Sequence, residues 1–232
     1  MTAATPVGEP GGRPTRATEL LARIREDLLA GELQPGTPLR LSALRERYCA
    51  GLTPLREALF QLVAEGLVTM EDQRGFRVAP VSAADLADLT DQRVFLESQA
   101  LRLSVERGDL IWESRVLAAH HRLAHTPMLR PDRAELTAEW TEAHRAFHRV
   151  LLEACGSAWL LRFRDVLSDQ AERYRRWSVR QEPGRDVAGE HRGIAEAVLA
   201  RDAAAAVQLL TAHYRHTAAL CQVPVARGGA GA

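Results

Sequence analysis

The chain has 232 residues, of which 46% are hydrophobic and 26% are charged. This length allows one or two domains with a buried core, and the composition excludes a wholly disordered chain. The 30 basic and 30 acidic side chains give a formal net charge of zero, so overall charge does not point to a polyanionic partner. No apolar run reaches the roughly 18–20 residues that a membrane span requires. Three widely spaced cysteines argue against a disulfide framework and fit a reducing cytoplasm.

The N-terminal third of the chain shows the element order of a winged helix-turn-helix. A helix capped by Thr18 is followed by a short helix that Ser42 opens. A third helix begins at Thr53, with Pro54 in its first helical position, where its missing N–H has no consequence. Residues 67–79 then read as two short strands joined by a polar turn, which predicts a hairpin. Three helices followed by a hairpin predict a DNA-binding module.

The rest of the chain is predicted to be helical throughout. Six segments with helical spacing of apolar residues, joined by short loops, predict an antiparallel helical bundle. One of these helices is expected from Asp132 to Ala154. The change in helix length near Ala79-Pro80 places the domain boundary there. The prediction is a mostly helical protein with four segments: a disordered tail at 1–15, a winged helix-turn-helix domain at 16–80, a helical effector- and metal-binding domain at 81–223 and a flexible tail at 224–232.

The third helix has a polar outer face that suits the major groove of DNA. Thr53, Arg56 and Phe60 share this face, opposite a leucine-rich stripe. The Arg56 guanidinium can reach guanine O6 and N7 or a phosphate, and the Thr53 hydroxyl can reach a phosphate. Residues 1–80 hold ten arginines and ten acids, so a small helical module with solvated arginines is the alternative. The other predicted DNA contacts are four arginines: Arg40, Arg45, Arg74 and Arg77.

The segment from Leu20 to Val78 resembles the winged helix of the GntR family of bacterial transcription regulators. The runs GELQPGTPLRLSALRERY, TPLREALFQLVAEGLV and RGFRV carry this resemblance. Arg56 matches the family's recognition-helix arginine, whereas Gly51-Leu52 replaces the usual Ser/Thr-Arg pair and removes one common base contact. The resemblance implies a transcription regulator, usually a repressor. A two-fold symmetric homodimer would then read a pseudo-palindromic operator in double-stranded DNA.

A second pattern concerns histidine. All eight histidines lie after residue 119, and His144 and His148 are four residues apart on one predicted helix. Their imidazoles therefore project from one helix face, a spacing that lets two nitrogens reach one metal at about 2.1 Å. His191 and His213 lie on the last two helices, which a bundle can bring to the same cavity. The alternative is a solvated or hydrogen-bonded pair on the first of these helices, with the other two histidines unrelated.

The runs EHRGIA and RDA resemble the FCD domain, the C-terminal ligand-binding domain of FadR-type GntR regulators. Such domains commonly bind a metal through one Asp and three His. His148, His191 and His213 match the three histidines, and His144 stands where the family pattern D-x-x-F-H has Asp. A four-histidine site is expected to favour a divalent ion such as zinc or nickel over magnesium or calcium.

A ligand pocket is expected beside these histidines. Four ligands leave coordination positions that a small carboxylate effector can complete, and Arg is a natural partner for the far end of a dicarboxylate. Arg93 and Glu97 on the first bundle helix, with Tyr174 and Arg175 in the run ERYRRW, are the predicted effector-binding residues. Each of them also fits an ordinary helix-surface pair. The run HRAFHRVLLEACGSAWLLRF and this ERYRRW run resemble the CsiR-type branch, whose members respond to small dicarboxylates such as glutarate.

The sequence therefore predicts a cytoplasmic, metal-containing regulator that senses a small organic acid and is not an enzyme. One alternative is a metal-dependent hydrolase that activates water at an open coordination position. No Glu or Asp stands out beside the histidines as a general base for that chemistry. The other alternative is a ligand-binding module without metal.

Overall fold

The structure, a computed structural model, describes residues 16–71, 75–131, 135–178 and 184–221. The chain divides into two compact units between Ala79 and Pro80. The predicted terminal tails and Arg74 lie outside the described residues. Within the described ranges, helices dominate and the strands form a single small sheet, which confirms the predicted fold class. No helix in those ranges has the length and apolarity needed to traverse a lipid bilayer.

The N-terminal unit is a winged helix-turn-helix. Its three short strands form one antiparallel sheet, in which the last strand in chain order lies between the other two and Val68 lies opposite Val78. The leucines of the third helix, Leu55, Leu59 and Leu62, are fully buried in the core of this unit. The elements in chain order are α1 (Arg16–Ala30), β1 (Pro38–Leu39), α2 (Leu41–Tyr48), α3 (Leu52–Ala64), β2 (Val68–Glu71) and β3 (Gly75–Val78).

The three helices of this unit begin earlier than predicted. Thr18 lies inside α1, and Ser42 lies inside α2, which starts after Arg40. Helix α3 starts after Gly51, so Pro54 is its third residue rather than its first. The first four N–H groups of a helix lack partners inside the helix, so proline is tolerated anywhere in that turn. The sequence located each helix, but the capping pattern did not give its first residue.

Between α2 and α3 the chain turns at Cys49, whose φ of 50° lies in the left-handed region. A side chain in this region costs roughly 1–2 kcal/mol, part of which glycine recovers. Cys49→Gly is therefore expected to raise the free energy of unfolding by about 0.5–1 kcal/mol, measured by urea denaturation. Cys49→Ala keeps the side-chain strain and serves as the control. A glycine variant no more stable than the alanine variant would contradict the prediction.

The C-terminal unit is a bundle of α-helices with short connections. Its α-helices in the described residues are α4 (Ala83–Arg107), α5 (Leu110–Ala124), α6 (Ala138–Val150), α7 (Ala158–Ser178), α8 (Val187–Leu199) and α9 (Ala203–Leu220), with a 3₁₀ turn at Glu153–Cys155. The helix expected from Asp132 to Ala154 is shorter than predicted. The Thr137 hydroxyl accepts the Trp140 N–H and so caps α6 at a later residue.

The core of the bundle places three helices around one interior site. Phe147 on α6, Ile194 on α8 and Leu210 on α9 are each fully buried and belong to one apolar cluster. Because α8 packs along α9, residues one turn from Ile194 and Leu210 face the same interior space. His191 and His213 occupy such positions, and His148 directly follows Phe147 on α6.

Candidate metal and ligand site and the DNA-binding helix

The four histidines predicted to bind a metal converge in the structure. His144 and His148 project from α6, His191 from α8 and His213 from α9. One ligand nitrogen from each lies within 4.8 Å of the others. His144 is 9% exposed and the other three are more deeply buried. This cluster is drawn from three helices, so it is not a solvated pair on one of them.

Two imidazoles of the cluster, those of His213 and His148, are oriented by hydrogen bonds through Nδ1. The Nδ1–H of His213 donates to the Glu190 carboxylate over 2.6 Å. The Nδ1 of His148 lies 3.2 Å from the Tyr214 hydroxyl, which itself donates to Glu97 over 2.6 Å. In each histidine the hydrogen bond holds the proton on Nδ1 and leaves the Nε2 lone pair free. Outer contacts of this kind position metal-ligating histidines in proteins.

The spacing within the cluster fits an ion shared by several imidazoles. The Nε2 atoms of His148 and His191 face each other at 3.3 Å. Two nitrogens that ligate one zinc ion at about 2.0–2.1 Å and lie side by side in its coordination shell are about 2.9–3.4 Å apart. Without a proton or an ion between them, two buried lone pairs at this distance repel each other. The donor set therefore fits a divalent ion of the zinc type.

The electrostatic surroundings keep these histidines neutral. Burial, followed by the charge of Arg175, holds the pKa of His144 well below its usual value. Burial and the His213 ring do the same for the pKa of both His148 and His191. Burial would raise the pKa of Glu190, but hydrogen bonds from His213 and Arg185 outweigh it and lower that pKa. Neutral imidazole is the form that ligates a metal.

A cavity opens beside the histidines and is lined by guanidinium groups. His144, His148 and His213 form part of its wall. Arg164 is only 3% exposed, and its Nε and Nη2 have no hydrogen-bond partner among the described residues. The same holds for Nε and Nη1 of Arg175. Five arginines line this cavity: Arg93, Arg145, Arg164, Arg175 and Arg185.

Sequence reasoning missed Arg164. The residue lies on α7 in helical phase with Leu160, Leu167 and Ala171, which are all partly buried against the bundle. A charged residue in the apolar stripe of a helix is a detectable signal, because Arg is rarely fully buried without a partner. In the run LRFRDV the position of Arg164 in the apolar stripe is easily overlooked, because its neighbours Arg162 and Asp165 are ordinary polar helix residues.

Only some of the four predicted effector-binding residues line the cavity. Arg93 and Arg175 line the cavity. Glu97 does not line it: the carboxylate is fully buried behind Tyr214 and accepts from Arg93 Nε at 2.9 Å. The Tyr174 ring lines the cavity, but its hydroxyl bonds to Asp85 and to the Ser82 N–H. Glu97 and the Tyr174 hydroxyl are therefore corrected from ligand contacts to supporting groups.

The predicted DNA-contacting face of α3 is largely accessible. Thr53 and Arg56 are exposed, and neither side chain makes a hydrogen bond or ion pair with a described residue. Phe60 is exposed on one side and packs its edge against the Phe76 ring at 5.3 Å. Arg40 and Arg45, before and within α2, are also exposed.

Arg77 is the exception among the predicted DNA contacts. Its Nη1 donates to the Gly36 carbonyl over 2.5 Å, and its Nε pairs with Glu71 at 3.1 Å. The side chain therefore fixes the turn before β1 to the hairpin. Two of the five N–H donors of Arg77 therefore serve the fold, and its contact with DNA stays a prediction.

Comparison with known proteins identifies both domains. Residues 16–78 match the family model described as bacterial regulatory proteins, gntR family, and residues 88–216 match the FCD domain. The chain belongs to the GntR family of transcriptional regulators. It is therefore a DNA-binding regulator of transcription with an FCD domain, and both matched families consist of regulators rather than enzymes. The resemblance seen in the sequence is confirmed over both units.

Two relatives extend this result along most of the chain. An HTH-type transcriptional repressor named GlaR from Escherichia coli K12 is 41% identical over 196 residues, covering 82% of this chain and 88% of its own length. A regulator named BphR from Paraburkholderia xenovorans LB400 is 42% identical over 193 residues, covering 82% and 79% respectively. Repressors therefore occur among the GntR relatives of this protein.

Solved structures share the fold. The Escherichia coli protein McbR/YncC superimposes with a TM-score of 0.70 at 19% identity, covering 89% of this chain and 97% of its own. A GntR regulator from Rhodococcus sp. RHA1 gives a TM-score of 0.70 at 21% identity, covering 88% and 96%. At these identities the likeness extends to the fold alone.

Proposed function

We propose that this GntR-family protein is a metal-containing repressor whose affinity for operator DNA depends on a small organic acid bound beside its four histidines. The convergence of the imidazoles of His144, His148, His191 and His213 is the observation that carries the proposal. The guanidinium-lined cavity next to them supports an anionic ligand. A change in operator affinity then follows from different affinities of the acid for the two states of the regulator.

The donor set supports zinc or nickel as the resident ion. Four imidazoles and no carboxylate make a borderline-soft site, which suits these metals and disfavours magnesium and calcium. When bound, the ion acts as a Lewis acid that holds a carboxylate oxygen of the ligand. Glu190 and Tyr214 hold His213 and His148 in an orientation that leaves Nε2 available to the ion.

Unmet hydrogen bonds support a carboxylate ligand. The orphan N–H groups of Arg164 and Arg175 are buried, and an unpaired buried donor is costly. A carboxylate accepts two parallel hydrogen bonds from one guanidinium. A dicarboxylate can place one carboxylate at the metal and the other at these arginines.

A thermal-shift experiment tests the proposal. Glutarate added to the zinc-loaded protein is expected to raise the melting temperature, because ligand at 100 times its Kd adds about 2.7 kcal/mol of stability. Arg164→Met should strongly reduce this shift, whereas Arg162→Met, exposed on the same helix, should leave it unchanged. Chelation of the metal should reduce the shift in the wild-type protein.

Three results would contradict this reading. No shift with glutarate, succinate, acetate or other small acids would exclude a carboxylate sensor. An unchanged shift after full chelation would favour the metal-free module. Turnover of ester or amide substrates by the zinc-loaded protein, lost in His148→Ala, would favour the hydrolase.

We further propose that the protein acts as a homodimer. Helix α7 presents an exposed apolar stripe with Trp159 stacked on Phe163 at 5.9 Å and with Val166 in the next turn. A second copy of the chain is the proposed partner, because a two-fold protein matches a pseudo-palindromic operator.

Light scattering should give twice the chain mass of 25.6 kDa. Phe163→Asp should halve the measured mass, and Leu117→Asp, exposed on α5, should not.

A further inference from the structure

The segment that joins the two units is held at both sides of the domain boundary. On the DNA-binding side, the Ala79 N–H donates to the Leu67 carbonyl over 3.0 Å. On the other side, Nη2 of Arg173 donates to the Pro80 carbonyl over 3.1 Å. Two residues further along, the Ser82 N–H donates to the Tyr174 hydroxyl over 3.3 Å. Neighbouring residues of α7 therefore hold the first residues of the C-terminal unit.

Tyr174 is the centre of this attachment. Its side chain is 1% exposed, and its hydroxyl donates to the Asp85 carboxylate in the first turn of α4. The Cys221 thiol lies 3.3 Å from the Tyr174 carbonyl, and Leu86 packs in the same apolar cluster. Burial, aided by the hydrogen bond to Asp85, raises the pKa of Tyr174 to about 12. The phenol therefore keeps the proton that it donates.

The helix turns that make this attachment also line the ligand cavity. Leu86 and Thr90 line it from the start of α4, and Arg175 and Ser178 line it from the end of α7. Arg175 directly follows Tyr174 along the helix, and two of its guanidinium nitrogens lack a partner among the described residues. A ligand that binds Arg175 therefore acts on the helix turn that holds Ser82 and Asp85.

We propose that Tyr174 is a positioning residue that transmits ligand binding at Arg175 to the interdomain segment through its hydrogen bonds with Asp85 and Ser82. This inference rests on the proposed function, because it requires a ligand in the cavity. Ligand binding shifts the last turns of α7, and the Tyr174 hydroxyl carries that shift to the first turn of α4. The start of α4 is only four residues from the end of the DNA-binding unit. Removal of the Tyr174 hydroxyl should therefore abolish the effect of ligand binding on DNA binding, while the protein still binds the ligand and still binds DNA.

The test measures operator affinity with and without ligand in the zinc-loaded full-length protein. DNA sites are first selected from a random duplex pool by the ligand-free wild-type protein, and glutarate is the probe. The wild type should lose about 5–150-fold in DNA affinity when glutarate saturates it, the usual range of coupling between two sites. In Tyr174→Phe, this change should fall below about threefold. Glutarate affinity in the absence of DNA and DNA affinity in the absence of glutarate should each stay within about threefold of wild type.

Two further variants separate coupling from simple destabilisation. Asp85→Ala removes the other partner of the hydrogen bond and should give the same loss of coupling, with no additional loss in the double variant. Asp88→Ala, exposed one turn later on α4, is the matched control and should retain full coupling. A merely structural role for Tyr174 would lower the melting temperature and leave the ligand response intact.

The outcomes distinguish this inference from the proposed function. Full coupling in Tyr174→Phe, with the wild type responding to glutarate, would overturn the inference and leave the proposed function in place. A wild-type protein that binds no small acid would overturn the proposed function and the inference with it. Loss of glutarate binding in Tyr174→Phe would show that the hydroxyl belongs to the ligand contacts, and would also overturn the inference.

Discussion

Arg56→Ala is expected to abolish specific operator binding while leaving the helical content and melting temperature unchanged. Arg56 is exposed on α3 and makes no hydrogen bond or ion pair with a described residue, so its removal costs the fold little. A bidentate contact to guanine contributes about 1–3 kcal/mol of discrimination. The proposed dimer would use the contact twice, so the expected loss is on the order of 10²–10⁴-fold in operator affinity, measured by fluorescence anisotropy.

Two companion variants define the nature of the Arg56 contact. Arg56→Lys keeps the positive charge but loses the planar fork of donors, so it should preserve phosphate contact and lose base recognition. Arg102→Ala, exposed on α4 in the other unit, removes one arginine and should bind the operator normally. Full affinity in Arg56→Lys would assign Arg56 to a phosphate. Full affinity in Arg56→Ala would remove it from the interface altogether.

The second large effect is expected for His148→Ala, which removes one of the four clustered histidines. Its ring lies within 5.5 Å of the rings of His144, His191 and His213. Loss of a direct ligand should weaken metal binding at least as much as the 10–100-fold typical of supporting residues. The purified variant should contain only trace metal by elemental analysis, and glutarate should no longer stabilise it. His121→Ala, on the exposed side of α5, should retain both properties.

A complementary variant restores the carboxylate that the family pattern has at position 144. His144→Asp should keep a metal but shift preference toward harder ions such as manganese, because carboxylate ligands favour them. Competition between zinc and manganese in the purified protein measures this shift. Undiminished metal content in His148→Ala, or an unchanged preference in His144→Asp, would contradict the four-histidine assignment.

The sequence was sufficient to locate the metal-type cluster because helices are rigid and periodic. A four-residue separation necessarily places His144 and His148 on one face, and a short-loop bundle has few places where three helices can meet. The resemblance to FCD domains then selected His191 and His213 among the remaining histidines. Periodicity did not give the side-chain directions, which depend on packing. Glu97 was therefore expected in the cavity, although it turns toward Tyr214 and Arg93.

The burial of the cavity arginine Arg164 and the first residue of α3 could not be predicted from local sequence patterns. Arg164 is polar by identity but occupies an apolar phase of α7, and only the assembled bundle reveals that its donors are enclosed. Helix α3 starts ahead of Thr53 because Gly51 adopts the extended cap conformation there. A threonine near a helix start is a capping signal only if the backbone leaves the helix at that residue. Two or three candidate caps in a row therefore cannot be ranked from sequence.

The presence of His144, where the family pattern has Asp, affects how ligand binding in the cavity should depend on ionic strength, because the four predicted metal ligands then carry no negative charge. A ring of four neutral donors would cancel none of the charge of the proposed divalent ion, so both positive charges would act on an incoming anion. Interactions between enclosed charges are screened much less by dissolved salt than those at a surface. Ligand recognition in the FCD domain should therefore persist at salt concentrations that dissociate the protein from its phosphate-rich operator.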